Sequence, residues 1–392
     1  MKFINILVFA DYFVPGYIAG GPIRTIDNMR RQLAGVVTLS VITRDRDLGA
    51  QAPYTNIPPN RWLETKDGRV FYASPCTFGL TALRHVLAKQ KFDAIYLNSF
   101  FGSRSSILLY LYMKIFYRRL PILIAPRGEF SAGALSIKKL KKRAFLLISK
   151  LLGWYRDVEW HASTPFEAKD ILRQFPHAQG HVHIASDPVV AEPYNTAPDR
   201  PAKRQGHLRL IFISRISPMK NVVGLLEMLL NVKASVELDI FGPIEDLTYW
   251  ERCEETMALL PTNITVRAYG AISSEKVFDT FSRYDLFAFP THGENFGHVV
   301  FEALSAGTPV LISDQTPWQS DEAGAVTVIP LKDTASWCDA IEKAANRSES
   351  TQFVLRNAAW KYSKIHVTTD GSRQANVEMF RALTGATTRR NM

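Results

Sequence analysis

Two glutamates, Glu294 and Glu302, stand with seven residues between them in the segment THGENFGHVVFEALSAGTPVLISD, residues 291–314. The flanking patterns predict a strand, a loop that holds Glu294, and a helix with Glu302 about two turns inside it. An ionised carboxylate can accept hydrogen bonds from two hydroxyls at once, which suits the vicinal diols of a sugar or a ribose. Gly297 and the amides around Asn295 and Phe296 would let backbone donors approach the same ligand.

A second loop supplies cations. In SRISPMKNVVGLLEMLL, Arg215 and Lys220 lie between a predicted strand and a helix that Asn221 can cap. Two cations beside the positive end of a helix suit a diphosphate, because arginine offers a planar fork and lysine a point charge. Taken alone, either loop could carry only solvated charges, but their convergence on one type of ligand favours a binding site.

A third loop contains paired glycines. Gly20 and Gly21 precede Pro22 and a helical pattern after the first predicted strand. Proline suits the first turn of a helix, and the glycines would let N–H groups close on an anion. A plain turn between strand and helix fits this segment equally well, since the spacing is not GxGxxG.

The surrounding elements predict an α/β fold. Short apolar runs alternate with helical patterns in both halves of the 392 residues, which favours parallel sheets and two doubly wound, Rossmann-like domains. The polar, proline-containing stretch 193–207 is typical of a linker. We therefore predict an N-terminal domain at 1–192, a C-terminal domain at 208–370, and a helix or tail at 371–392 that can pack back on the first domain.

Composition limits the function classes. Hydrophobic content of 46% and charged content of 21% indicate a globular protein, and three scattered cysteines suggest neither disulfides nor a thiolate metal site. The opening residues are interpreted as a buried strand rather than a signal peptide, and no apolar stretch is long enough to span a bilayer. A net charge of +10 favours anionic partners, but no nucleic-acid-binding motif is present.

The cationic loop and the two-glutamate segment together resemble the arginine-lysine loop and the E-x7-E motif of glycosyltransferase family 4. That family comprises retaining nucleotide-sugar transferases of the GT-B fold, and the resemblance is strong over roughly residues 205–330. IAPRGEFSAGAL (124–135) and ASTPFEAKDI (162–171) also resemble its bacterial surface-polysaccharide members. The resemblance implies two facing Rossmann-like domains with the active site in an interdomain cleft.

It also implies residue roles. Arg215 and Lys220 would hold the donor diphosphate, Glu302 the ribose hydroxyls, and Glu294 the transferred sugar; Glu294, Arg215 and Lys220 are the catalytic candidates. The Gly20–Gly21 pair would complete the phosphate site, and the backbone of 295–297 would add donors. Ser214 replaces a glycine that is usual in the family, and SDPVV (186–190) replaces a common Asn-Gly.

The acceptor side is less clearly marked. Where the family often has a histidine at a strand tip, the strand PILIA ends in PRGEF, so that Arg127 and Glu129 are the candidates by position. Salt-linked loop residues are an equal alternative. His161, before a Thr164–Glu167 capping box, suits a structural role as well as a functional one.

Two pairs imitate metal ligands. Asp45 and Asp47 resemble a DxD motif, and His181 and His183 alternate onto one strand face. Neither pair has a third ligand at useful spacing, so we predict no metal and no cofactor besides the nucleotide-sugar.

Residues 138–155 open with a run of five basic residues at 138–143, before a helix with an apolar stripe formed by Ile137, Leu140, Ala144, Leu147 and Leu151. An interfacial helix on an anionic membrane has this pattern. An ordinary helix of the N-terminal domain with a solvated basic face has it too.

The sequence therefore predicts transfer of a hexose from a nucleoside diphosphate donor, with UDP as the default, to a glycan or lipid-linked saccharide. The setting would be bacterial surface polysaccharide or lipopolysaccharide synthesis, in the cytoplasm or on the inner face of its membrane. A sugar phosphorylase or epimerase of the same fold, or a catalytically silent glycan-binding partner, are the alternatives.

Overall fold

The computed structural model of the chain describes residues 3–136, 139–190, 200–369 and 371–389. The chain divides into two compact units: unit 1 comprises residues 1–190 with 371–392, and unit 2 comprises residues 191–370. Each unit is built on a sheet whose strands are nearly all parallel, with helices between most consecutive strands. The predicted α/β class with two doubly wound sheets is confirmed.

Unit 1 is organised around a sheet with eight described strands: β1 (Ile4–Phe9), β2 (Val37–Arg44), β3 (Trp62–Thr65), β4 (Gly68–Ala73), β5 (Ala94–Leu97), β6 (Ile122–Ile124), β7 (Glu159–Ala162) and β8 (Val182–Ile184). Their order is β3-β4-β2-β1-β5-β6-β7-β8, and only the β3–β4 pair among these strands is antiparallel. The helices are α1 (Gly21–Leu33), α2 (Leu80–Lys89), α3 (Leu108–Phe116), α4 (Ala132–Ser136), α5 (Lys139–Leu151) and α6 (Pro165–Gln174).

Alternate residues of the unit 1 strands enter two different cores. Leu7 and Phe9 of β1 pack with residues of α2, α3, α5 and α6, whereas Ile6 and Val8 pack with α1 on the other face. This follows from the period of two along a strand, and it explains why β1 is apolar throughout. Helices α3 and α5 thus cover the same face of the sheet.

Unit 2 is organised around a sheet with six described strands: β9 (His207–Ile213), β10 (Ser235–Phe241), β11 (Ile264–Gly270), β12 (Leu286–Phe289), β13 (Val310–Ser313) and β14 (Val326–Ile329). All of these described pairs are parallel, in the order β11-β10-β9-β12-β13-β14. The helices are α7 (Val222–Leu229), α8 (Leu247–Met257), α9 (Ser274–Ser282), α10 (His298–Ser305), α11 (Thr334–Ala345) and α12 (Glu349–Thr369). The strand order reverses between β9 and β12, where doubly wound sheets bind ligands.

The last helix, α13 (Ser372–Arg389), belongs to unit 1 although it follows unit 2 in the chain. Val377, Phe380 and Leu383 join the core on the α1 face of the sheet. Asn376 Nδ2 donates to Ser186 O at 2.9 Å.

Of the predicted linker, 193–207, residues 193–199 lie outside the described residues. From Arg200 the chain packs within unit 2, since the Arg200 guanidinium donates to Ala306 O and Gly307 O, and strand β9 already begins at His207. None of the helices in the described ranges is long and apolar enough to cross a membrane.

Candidate functional site

Two loops leave the carboxyl ends of neighbouring strands at the reversal point of unit 2. The first, residues 214–221, follows β9, and the second, residues 290–297, follows β12; these strands pair directly through Leu210 and Leu286. The two loops carry the predicted cations and the first predicted glutamate. The topology therefore brings together groups that lie some seventy residues apart in the chain.

Lys220 and Glu294 form an ion pair between these loops. Lys220 Nζ donates to Glu294 Oε2 at 2.8 Å, and the two side chains are 10% and 19% exposed. The ammonium also lies 5.3 Å from the centre of the Phe289 ring at the end of β12. Both side chains are therefore mostly buried but remain partly accessible to solvent.

Burial alone would raise the pKa of Glu294. The charge of Lys220, its hydrogen bond and a further bond from Asn295 N outweigh burial, so that the pKa lies below its ordinary value. The charge of Arg215 acts in the same direction, which places this third residue within electrostatic reach of the carboxylate. Glu294 is therefore ionised at neutral pH and available to accept from hydroxyls.

Hydrogen bonds, partly buried, fix the two loops to each other. Met219 O accepts from His292 N at 2.8 Å and lies 3.0 Å from the Thr291 hydroxyl, and Asn221 Nδ2 donates to Pro290 O at 2.9 Å. Asn221 also caps α7 by accepting from Gly224 N, as the sequence predicted. Sequence analysis missed Thr291, whose buried hydroxyl holds the glutamate loop against the lysine loop.

Arg215 lies on the same loop as Lys220 but is more exposed. Its guanidinium pairs with Glu245 at 2.9 Å, and the two side chains are 40% and 47% exposed. Such a pair contributes little to stability, so the arginine can change partner at small cost. Gly242 supports this loop, because a Cβ there would lie 1.7 Å from Ser214 O.

Helix α10 begins directly after the Asn-Phe-Gly turn. Gly297 has φ 82°, and the first helical residue is His298, so that Glu302 is the fifth residue of the helix. The prediction of about two turns was wrong: a little more than one turn separates Glu302 from the helix start. Glu302 is half-buried in this position.

In the turn between the two glutamates, some backbone N–H and C=O groups form hydrogen bonds with protein side chains. Asn295 N donates to Glu294 Oε1 at 3.0 Å, and Phe296 O accepts from Trp318 Nε1 at 2.7 Å. The Phe296 ring is buried against the Trp318 ring, with their centroids 5.8 Å apart. This packing fixes the path of the turn into α10.

The glycine pair of unit 1 lies where the sequence predicted, at the start of α1. Gly20 has φ 73° at the N-cap, and α1 starts at Gly21. Asp47 braces the preceding loop by accepting from Tyr17 N at 2.9 Å and Ile18 N at 3.2 Å. Asp45, the other residue of the DxD-like pair, bonds to Arg46.

Arg127 and Glu129 are engaged with protein atoms. Arg127, at φ 55°, donates to Asn98 Oδ1 at 2.7 Å and to Asp187 Oδ1 at 2.6 Å. Glu129 accepts from Ser99 Oγ and from the amides of residues 100 and 101 at 2.6–3.0 Å. These contacts tie the end of β6 to the end of β5, which is a positioning role.

His161 is buried in β7. Its Nε2 lies 2.8 Å from Ala185 O, so it carries the proton there, and Nδ1 accepts from the Tyr96 hydroxyl at 2.7 Å. Burial and the charge of Arg127 lower the pKa of His161 to about 3, so the ring is neutral. One half of the predicted capping box is confirmed, since Glu167 N donates to Thr164 Oγ1 at 3.1 Å; the Glu167 carboxylate accepts from Ser163 N, one residue before the cap, at 2.8 Å.

The second pair that resembles metal ligands, His181 and His183, contacts the Glu159 carboxylate, and each nitrogen–oxygen distance is 3.0 Å. Among the described residues no group of three or more His, Cys, Asp or Glu is arranged to hold a metal ion.

An ionic cluster at the carboxyl edge of the unit 1 sheet was not anticipated. Asp11, just after β1, pairs with Arg44 at 3.1 Å and accepts from Ser105 Oγ at 2.6 Å. Asp11 and Arg44 are each 29% exposed. The only signal in the sequence was the position of each residue at the end of a strand.

Comparison with known proteins agrees with the class of site. Residues 195–358 match the family model described as Glycosyl transferases group 1, a segment that contains both loops of unit 2. Two curated relatives are D-inositol 3-phosphate glycosyltransferases. That of Streptomyces avermitilis is 28% identical over 165 residues, which is 38% of this chain and 36% of the relative. That of Saccharomonospora viridis is 36% identical over 76 residues, 19% of this chain and 18% of the relative.

Solved structures resemble the whole chain. Sucrose-phosphate synthase from Thermosynechococcus elongatus has a TM-score of 0.71 at 16% identity and covers 98% of this chain and 100% of its own. Anabaena HepE in complex with UDP and glucose has a TM-score of 0.70 at 14% identity, with 97% and 100% covered. The fold is thus that of the GT-B glycosyltransferases. The chain spans about a third or less of the lengths of the two curated relatives.

Proposed function

We propose that this protein is a nucleotide-sugar-dependent glycosyltransferase. The observation that carries the proposal is the Lys220–Glu294 pair at the strand-order reversal of unit 2, with Arg215 on the same loop. A cationic loop at this point suits a diphosphate, and a neighbouring ionised carboxylate suits sugar hydroxyls. The match of residues 195–358 to group 1 glycosyl transferases supports the same activity.

The donor site then has three parts. Arg215 and Lys220 bind the diphosphate, and Glu302 binds the ribose hydroxyls from α10. Glu294 accepts from hydroxyls of the transferred sugar, and the backbone of 295–297 orients it. Diphosphate binding draws Lys220 toward the ligand and releases Glu294 to the sugar, so that both partners of the ion pair gain a ligand contact together.

The Gly20–Gly21 pair is proposed as an additional phosphate contact. Gly20 N itself donates to Tyr17 O at 3.0 Å, so the N–H of Gly21 at the start of α1 is the proposed contact, and the macrodipole favours an anion there.

UDP-hexose is the proposed donor, with retention of configuration as in family 4. Anabaena HepE, similar in fold to this chain, was solved with UDP and glucose. Thermal-shift screening of nucleoside diphosphates and their sugars tests the base and the sugar, because a ligand at 100 times its dissociation constant stabilises by about 2.7 kcal/mol. Absence of any shift with every nucleotide would overturn the proposal.

The acceptor is proposed to be a glycan or lipid-linked saccharide of bacterial surface polysaccharide or lipopolysaccharide synthesis, used in the cytoplasm at the inner face of its membrane. Asp11 and Arg44 are partly accessible charged groups at the carboxyl edge of unit 1, and Arg127 and Glu129 position the loops around that edge. Because the curated relatives are named for D-inositol 3-phosphate, small phosphorylated polyols should be assayed as comparison acceptors.

The proposed reaction needs no metal, since Arg215 and Lys220 neutralise the diphosphate. Activity should survive a chelator. Full loss with EDTA and recovery with manganese would contradict this part and return Asp45 and Asp47 to consideration.

Transfer assays also separate the alternatives. Donor turnover distinguishes an enzyme from a silent glycan-binding protein, and dependence on inorganic phosphate identifies a phosphorylase. Conversion of the donor sugar without transfer identifies an epimerase.

A further inference from the structure

The positive charge of the chain is concentrated in one segment of unit 1. Residues 94–156 contain 12 of the 47 Lys and Arg residues but only one of the 37 Asp and Glu residues, Glu129. The remaining 35 basic and 36 acidic residues nearly cancel, so this segment accounts for the whole net charge of +10. The segment contains β5, α3, β6, α4 and α5.

Helix α5 presents its apolar stripe to solvent. Of its thirteen residues, all of which are described, only Leu146 and Ser149 are buried. Leu140, Leu147 and Leu151 are 84%, 59% and 76% exposed. At about 100° per residue these leucines lie roughly 150° round the helix from the buried side.

The basic residues of α5 lie beside that stripe. Lys139, Arg143 and Lys150 flank it on one side and Lys141 on the other, and all four side chains are exposed. An ordinary surface helix buries its apolar stripe and turns its charges to water. Here the apolar stripe and the charges are both exposed, which removes that alternative for residues 139–151. Ile137 and Lys138 lie outside the described residues.

Helix α3, on the same face of the sheet, also has exposed apolar side chains. Leu109, Tyr110 and Met113 pack into the same core as Leu146, while Ile115 and Phe116 are exposed. The two helices adjoin the neighbouring strands β5 and β6 on one face of the sheet. The Tyr110 ring stacks on Tyr155, just after α5, with centroids 4.2 Å apart.

We propose that the outer faces of α3 and α5, called here the α3–α5 surface, dock unit 1 onto an anionic lipid bilayer. The leucine stripe with Ile115 and Phe116 would enter the acyl boundary, and the flanking cations would contact lipid phosphates. Charge complementarity selects this occupant, since an apolar stripe with cations on both sides would repel a second copy of itself. The inference concerns attachment and does not depend on transferase activity.

Flotation of the full chain with vesicles tests the proposal without any sugar substrate. The probes are phosphatidylcholine vesicles with and without phosphatidylglycerol. We expect binding to the anionic vesicles, weakened by salt, and little binding to the neutral ones. Failure to bind the anionic vesicles, or equal binding to both, would overturn the proposal.

Variants separate the two components of the surface. Neutralising Lys139, Lys141 and Arg143 to Gln should weaken binding about 100-fold, from roughly fivefold for each cation near an anionic surface. The matched control neutralises Lys276, Lys332 and Lys343, exposed residues of unit 2, and should bind like wild type. Equal binding by the two triple variants would contradict the electrostatic part.

The apolar part is tested by Leu147→Glu with Leu151→Glu, which should abolish flotation. Leu247→Glu with Leu259→Glu, at two exposed leucines of unit 2, is the control and should have no effect. Melting curves report whether each variant folds. The proposal would fail if the Leu147→Glu, Leu151→Glu variant still floats with anionic vesicles. It would also fail if wild type does not bind lipid and sedimentation velocity shows a wild-type dimer that the variant converts to a monomer.

Discussion

Lys220 Nζ lies 2.8 Å from Glu294 Oε2, so the cation assigned to the donor diphosphate and the acid assigned to its sugar neutralise each other. The two residues come from loops after adjacent strands of unit 2. Removing either charge therefore leaves the other residue without its ion-pair partner. This coupling distinguishes the effects of single and double variants.

Lys220→Ala should weaken binding of the donor and of the free nucleoside diphosphate together, by about 10- to 150-fold, since a charged hydrogen bond contributes roughly 1.5–3 kcal/mol. It should also lower the melting temperature, because Glu294 loses its partner. Adding Glu294→Gln should restore much of the stability without restoring binding. Calorimetric titration and melting curves measure both, with the exposed Lys276→Ala as control. Unchanged nucleotide affinity in Lys220→Ala would contradict the assignment.

Gly242→Ala tests the support of the arginine loop. A Cβ at this position meets Ser214 O at 1.7 Å, so the peptide before Arg215 must move. We expect weaker nucleoside diphosphate binding and lower stability. Gly270→Ala is the control. Gly270 also has a positive φ of 74°, but a Cβ added there would lie more than 4 Å from every described atom beyond its two chain neighbours. Equal losses in both variants would show that backbone strain, rather than displacement of the loop, is responsible.

Stability should depend on pH through His161. Its folded pKa is about 3 against an ordinary 6.5, so between these values the unfolded chain takes up a proton that the folded chain excludes. The contribution is complete above pH 6.5 and is lost as the pH falls toward 3, at up to about 1.4 kcal/mol per unit. His161→Gln should flatten this slope in urea unfolding, whereas His85→Gln, at an exposed ring, should not. Parallel slopes for His161→Gln and wild type would contradict the neutral buried ring.

Local patterns in the sequence predicted much of the fold. The apolar runs around β1, β2, β5, β10 and β12, the Asn221 cap and the Thr164 cap were all found, because each depends on near neighbours. The short antiparallel β3–β4 pair was missed, since Trp62–Thr65 is only partly buried and has no apolar alternation.

The site was less predictable, because its geometry depends on contacts across the sheet. Residue types indicated Lys220 and Glu294, but the bond between them follows from the β9–β12 pairing. The roles of Arg127 and Glu129 depend on side chains at the ends of β5 and β6 that meet only in the folded sheet. The exposed stripe of α5 could not be distinguished from a buried one, since periodicity does not say which face meets the core.

The separate roles of the two glutamates provide the most direct test of the nucleotide-sugar site. Titration with UDP and steady-state kinetics should be measured on Glu302→Gln and Glu294→Gln side by side. We expect Glu302→Gln to weaken UDP binding, because it loses the ribose contact. Glu294→Gln should bind UDP as tightly as wild type or more tightly, since Lys220 is released, and should lose about 100-fold in kcat, or about 2.7 kcal/mol of transition-state stabilisation. Equal weakening of UDP binding by both variants, with no selective loss of turnover in Glu294→Gln, would contradict the account.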